Sequence, residues 1–239
     1  MSTVEPTAVN SGAGGSHTRA MTSRSEPWLP TLLSVIAGMV DVIGFLTLGI
    51  FTAHVTGNIV VIGALLVRHS SVHLAQILAI PVFILAVATT WLIAKASGRR
   101  GAGLMRPLLV IQFLLISCLL VFSAITKPSA DPHGLIGTIA AMIAVTAMGC
   151  QFALLRLAMP IAPSTAVMTG NLTNAVLAFV DSSSRTPLME KDSARLMAAL
   201  HLLLGFFVGC VVATAALMYL GDWAWLLPAA LAAVAVAFG

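Results

Sequence analysis

The sequence predicts an all-α membrane protein of six full transmembrane helices plus two short broken or re-entrant helices, arranged as an internal, inverted repeat. Three observations predict it. Hydrophobic residues make up 59% of the 239 residues and charged residues 8%, against roughly 45–50% and about 25% in soluble domains. Twelve Lys+Arg and eight Asp+Glu cannot cover a soluble surface of this size, and the mean hydropathy of +1.03 agrees. Six apolar stretches are long enough to span a bilayer, and one short peptide occurs twice.

Residues 1–27 are rich in Ser, Thr, Gly and Ala and hold no long apolar run. They lack the apolar core of a secretory signal peptide and read as a disordered cytoplasmic tail. Pro27 and Pro30 mark the entry to the first helix, with Trp28 as an interface anchor. The long stretches run near 29–50, 74–95, 105–126, 134–156, 194–220 and 223–239; a crossing takes about 20 apolar residues. Trp91, Trp223 and Trp225 fall at span ends, where aromatic belts belong. Gly205 and Gly209 have the spacing that lets helices approach closely, and internal packing explains them better than a dimer seam. Cys118, Cys150 and Cys210 lie apart in apolar stretches and read as small buried core residues.

Two further apolar stretches, Ile59–Val67 and Leu172–Val180, hold nine residues each. As helices they reach roughly 14 Å, about half a bilayer. Each follows the same peptide: Thr-Ala-His-Val-Thr-Gly-Asn at 52–58 and Thr-Ala-Val-Met-Thr-Gly-Asn at 165–171 match at five of seven positions, 113 residues apart. Gly38 precedes Thr56 by 18 residues and Gly149 precedes Thr169 by 20, so the likeness extends outward. The chain divides into a tail (1–27), a first membrane repeat (28–127) and a second (128–239). Each repeat has one long span, one half-helix and two more spans.

Charge selects a topology. With six crossings and a cytoplasmic amino terminus, ten of the twelve Lys+Arg face inward and only Arg68 and Lys127 face outward. Eight crossings would split the same charges almost evenly. Three crossings per half is an odd number, so the second half inserts upside down, as in many secondary transporters.

Gly38-Met-Val-Asp41, Phe51, Thr56-Gly57-Asn58, Gly149-x-Gln151 and Thr169-Gly170-Asn171 carry a resemblance to the YoaK family. These are small multi-pass proteins of the bacterial inner membrane, defined by a domain of unknown function. The resemblance covers about residues 30–238 and is most specific from Asp41 to Asn58. It implies several membrane spans and a bacterial cell membrane, and brings no activity, substrate or catalytic residue.

Asp41 is the only acidic residue in the middle of a span. An ionised carboxylate there costs several kcal/mol unless paired, which is why such residues tend to be functional. It reads as a proton-exchanging group, or as a hydrogen-bonded helix tie. Thr56, Gly57 and Asn58, with Thr169, Gly170 and Asn171, combine a cap, close backbone approach and an amide donor and acceptor. Non-helical backbone at membrane depth survives only where protein buries it or it lines a cavity, so these residues read as a solute site or as structural turns. Gln151 lines the same cavity or bridges helices. His54 faces Val167 in the other copy and falls outside the repeated design. His69 and His73 lack a third metal ligand.

No catalytic constellation, cofactor motif or metal set is present in the sequence, and the chain is not expected to be an enzyme. Few aromatics and little net charge exclude nucleic acid as a partner. The expected partners are the lipid bilayer, an unidentified small solute and H⁺, with a homo-oligomer left open. The expectation is a small secondary transporter with a midplane solute site between the two Thr-Gly-Asn elements. The alternatives are a structural or lipid-handling membrane protein without transport, and an intramembrane enzyme.

Overall fold

The computed structural model describes residues 28–160, 165, 168–183 and 190–239. The tail expected over residues 1–27 lies outside them. Among the described residues eight helices follow one another: α1 (Trp28–Leu48), α2 (Gly57–Val67), α3 (Leu74–Ala96), α4 (Ala102–Thr126), α5 (Leu135–Ala158), α6 (Met168–Ser183), α7 (Glu190–Leu220) and α8 (Leu226–Phe238). Short 3-10 turns occupy Pro128–Ala130 and Gly221–Trp225, and no strand occurs among the described residues.

Local chemistry explains the ends. Pro30 sits in the first turn of α1, where no intrahelical N–H bond is lost. Gly49, at φ +69°, stops that helix in the left-handed region glycine favours. The Gln76 side chain accepts the His73 N–H at 3.2 Å and so caps the start of α3.

The expected spans at 29–50, 74–95, 105–126 and 134–156 form α1, α3, α4 and α5 nearly in register. The remaining apolar sequence, Leu196–Phe238, makes a fifth stretch apolar enough to cross. The 3-10 turn at Gly221–Trp225 breaks it, with Gly221 at φ +53°. That turn consumes the first residues of the span expected at 223–239, leaving α8 with 13 residues, about 20 Å against a hydrocarbon core of roughly 30 Å. The short second element is longer than its apolar run: α6 has 16 residues.

Burial separates helices that hydropathy makes look alike. The apolar windows of α1 and α5 are 67% and 78% buried, those of α3 and α4 only 22% and 33%. Central α5 carries Ala140, Ala141, Ala144 and Ala147 at zero exposure, because small side chains let neighbouring helices approach where lipid gives no hydrophobic drive. Peripheral α3 exposes Ile84, Leu85 and Leu92, the surface expected to face acyl chains. This is a multi-pass, all-helical membrane protein.

α1 packs along α7, and α3 along α5. At the first contact Gly38 lies against the Phe206 carbonyl and the Cys210 N. Gly205 lies against the Thr31 carbonyl and Gly209 against Val35. The expected internal use of the Gly205/Gly209 spacing is what the structure has. Two small expectations fail. Cys118 is exposed on α4 while Cys150 is buried, and Trp225 is fully buried in the 3-10 turn rather than in an interfacial belt.

Candidate functional site

Asp41 is the fourteenth residue of α1, about 10 Å of helix before its end at Leu48. From Gly49 to Thr56 the chain is not helical, and it turns back along α1 to the level of the carboxylate. Asp41 Oδ1 accepts the backbone N–H groups of Thr52 at 2.8 Å, Ala53 at 2.8 Å and His54 at 3.3 Å. The Thr52 hydroxyl donates to the Val40 carbonyl at 3.1 Å and approaches Asp41 Oδ1 at 3.4 Å. Backbone that leaves a helix inside apolar surroundings needs partners for its N–H groups, and Asp41 supplies them.

The other carboxylate oxygen meets a side chain. Asp41 Oδ2 lies 2.6 Å from His54 Nδ1, the only ion-pair contact among the described residues. Asp41 is buried, and 28% of the His54 side chain is exposed. The His54 ring stands edge-on to Phe206 of α7, with centroids 5.0 Å apart. His54 is the residue the sequence reading set aside. The signal was its asymmetry: α5 has no carboxylate and Val167 stands where His54 would repeat, so the two unmatched polar groups are partners.

Asn58 closes the loop from the other side. Its Oδ1 accepts the Phe51 N–H at 2.9 Å and its Nδ2 donates to the Phe51 carbonyl at 2.8 Å. Gly57 lies against the Phe51 ring, where a Cβ would come within 2.8 Å of Cδ2. Thr56 is exposed and makes no side-chain cap to α2. In the second copy Thr169 is exposed, Gly170 partly buried and Asn171 buried, the same pattern as Thr56, Gly57 and Asn58. The two copies sit on different helices, α2 against α3 and α6 against α7.

Gln151 is fully buried on α5. Its Nε2 donates to the Leu33 carbonyl at 2.9 Å, and its Oε1 accepts Gln112 Nε2 at 2.5 Å. Gln112, on α4, is a further buried polar residue that the sequence reading missed; its Oε1 has no partner among the described residues. Among the described residues no group of three or more His, Cys, Asp or Glu is arranged to hold a metal. His73 stacks on His133 instead, with centroids 3.4 Å apart.

A family model described as "Protein of unknown function (DUF1275)" matches residues 29–238, and the chain belongs to that family. No curated protein and no solved structure matches it.

Proposed function

We propose that this member of the DUF1275 family, YoaK-like in its motifs, is a small secondary transporter of the bacterial inner membrane in which the Asp41–His54 pair holds the coupling proton. One observation carries the reading: a buried carboxylate within a membrane helix, 2.6 Å from a partly exposed imidazole on non-helical backbone. Carboxylate and histidine inside a bilayer are costly and mark proton relays. Histidine takes and releases a proton in the physiological range, and its partial exposure gives that proton a route.

The packing supports an inverted repeat. Exchanging the halves maps the α1–α7 contact onto the α5–α3 contact. Gly38 against α7 then corresponds to Gly149, which lies against Phe83 and Ala86 of α3. Gln151 near the end of α5 bonds Leu33 near the start of α1, a pairing that antiparallel helices would give. Six crossings with both termini cytoplasmic keep ten of twelve Lys+Arg inside. The solute would bind near the midplane between the halves, beside Asp41 and the exposed Thr56 and Thr169, as broken helices do in transporters of this kind.

A second reading has its own observation. Asn58 and Asp41 Oδ1 spend their hydrogen bonds on backbone, which is what a purely structural membrane protein would need.

Uptake of a solute panel by proteoliposomes, with and without a proton gradient, separates the two. Transport predicts gradient-driven uptake of at least one solute, reduced tenfold or more in Asp41→Asn and His54→Gln, with gradient-free exchange retained. Full gradient-driven uptake by Asp41→Asn would sink the coupling role.

A further inference from the structure

The five-residue link between α3 and α4 borders an open cavity of about 500 Å³, far from Asp41 in sequence. It is walled by Trp91, Lys95, Arg99, Arg100 and Leu157, with the buried Ala94 and Leu104 beneath. We infer that this cavity binds a phosphoryl group, presented by an anionic lipid headgroup or by a free phosphate compound.

The cations there are organised beyond what a topology signal needs. Positive-inside bias requires only charge on one side of the membrane. Lys95, Arg99 and Arg100 are exposed, and here Lys95 Nζ lies 5.0 Å over the Trp91 ring. Arg99 and Arg100 lie between two glycines at positive φ, Gly98 at +65° and Gly101 at +55°. Ser97 Oγ accepts the Arg99 N–H at 3.3 Å while donating to the Ala94 carbonyl at 2.7 Å, which anchors the turn.

Lys95, Arg99 and Arg100 make no ion pair with Asp41, Asp131 or Asp222, the carboxylates whose side chains are described. Two guanidiniums and an ammonium around one concavity suit the oxygens of a phosphate, which arginine binds in bidentate fashion. A Cβ built on Gly98 or Gly101 meets nothing within 4 Å, so the glycines leave the mouth open. The position favours a lipid as the source. Trp91, Leu92 and Ile93 are exposed beside the cavity, where a tryptophan marks headgroup depth and basic pockets between membrane helices take anionic headgroups.

The test is calorimetric titration of the purified full chain in neutral detergent with short-chain phosphatidylglycerol, short-chain phosphatidylcholine and inorganic phosphate. Phosphatidylglycerol should bind at one saturable site. Arg99→Gln with Arg100→Gln should weaken it at least tenfold, at about fivefold per charge removed, while Arg68→Gln with Lys127→Gln, an equal charge change elsewhere, should leave it unchanged. Phosphatidylglycerol binding that phosphate does not displace identifies a lipid headgroup, and phosphate binding that the same double variant abolishes identifies a free phosphate compound. Equal binding of phosphatidylcholine, or a double variant within twofold of the parent, would overturn the inference. Should the double variant not fold, the salt dependence of the parent decides. Binding that does not weaken between 50 and 500 mM NaCl, roughly a threefold change in screening length, is not electrostatic and would overturn it too.

Discussion

The two copies of one heptapeptide have the same outward form and different interiors. In both, the Thr of Thr-Gly-Asn is exposed and the Asn is buried, at 56 and 58 and again at 169 and 171. The first residue of each copy, Thr52 or Thr165, has zero exposure. Yet Thr52 is bonded to Val40 and faces Asp41, whereas the Thr165 hydroxyl is buried with no partner among the described residues. The cause lies one helix earlier: α1 carries a carboxylate and α5 carries none. Thr52, Asn58, Thr165 and Asn171 are buried alike in the two copies, and the pair Asp41 and His54 belongs to the first copy alone. A duplicated motif is therefore a guide to architecture, and its departures from symmetry are the guide to function.

The largest effect comes from removing what the first copy alone possesses. Asp41→Leu strands the N–H groups of Thr52 and Ala53 in an apolar setting and leaves His54 without its partner. Each unsatisfied buried group costs about 1–3 kcal/mol, so the loss should reach about 3–5 kcal/mol, read from unfolding of the purified protein in detergent. Asp41→Asn keeps an oxygen for those N–H groups and should lose only about 1–2 kcal/mol. A Leu variant as stable as the Asn variant would show that the loop does not depend on the carboxylate cradle.

Next in size is Asn58→Ala. It leaves the Phe51 N–H and carbonyl unpaired, for a loss of about 2–3 kcal/mol and faster proteolysis near residue 54. A variant as stable and as protease-resistant as the parent would mean that α2 seats itself without this clasp.

How much of this was legible follows the same division. Apolar runs placed four of the spans within a few residues, because a bilayer dictates length and composition directly. The break between the last two expected spans falls where it was read, but the 3-10 turn takes up Gly221–Trp225 and leaves the last helix shorter, at 13 residues. Asp41 stood out because a lone mid-span carboxylate is rare. Its cradle did not, because the donors are backbone groups of Thr52, Ala53 and His54, and backbone carries no sequence signal. The role of Asn58 was visible as a duplicated residue but not as a clasp on Phe51, seven residues away. Gln112 looked like one polar residue in an apolar helix until α5 brought Gln151 beside it.

The hydroxyl comparison is finer. Thr52→Val removes a bonded buried hydroxyl and should cost about 1–2 kcal/mol. Thr165→Val replaces an unpartnered one with a side chain of similar shape, so it should be neutral or slightly stabilising, by up to about 1 kcal/mol. Paired unfolding curves in one detergent would check both. Equal losses at the two sites would mean that the second copy has a partner equivalent to Asp41, and the asymmetry would be gone.

The smallest expected effect concerns a tether at the other end of the first loop. Gln76 Nε2 donates to the Gly49 carbonyl at 3.4 Å, and His133 packs against Gly49, so that a Cβ there would lie 3.2 Å from its Cε1. His133 in turn stacks on His73 at 3.4 Å. Burial, and then the neighbouring His133, hold the His73 pKa below its ordinary value of 6.5. A base whose pKa is depressed by folding takes up protons more readily when unfolded. Below 6.5 and above the folded value the unfolded chain therefore carries the extra proton, and stability rises with pH across that window. The contribution is complete above about 6.5 and is lost as pH falls through that value. His73→Gln should flatten the slope of unfolding midpoint against pH between 7.5 and 5.5 without changing the midpoint at 7.5 by much. A slope unchanged by His73→Gln would remove this histidine pair from the outer tether and leave Gln76 alone to hold Gly49.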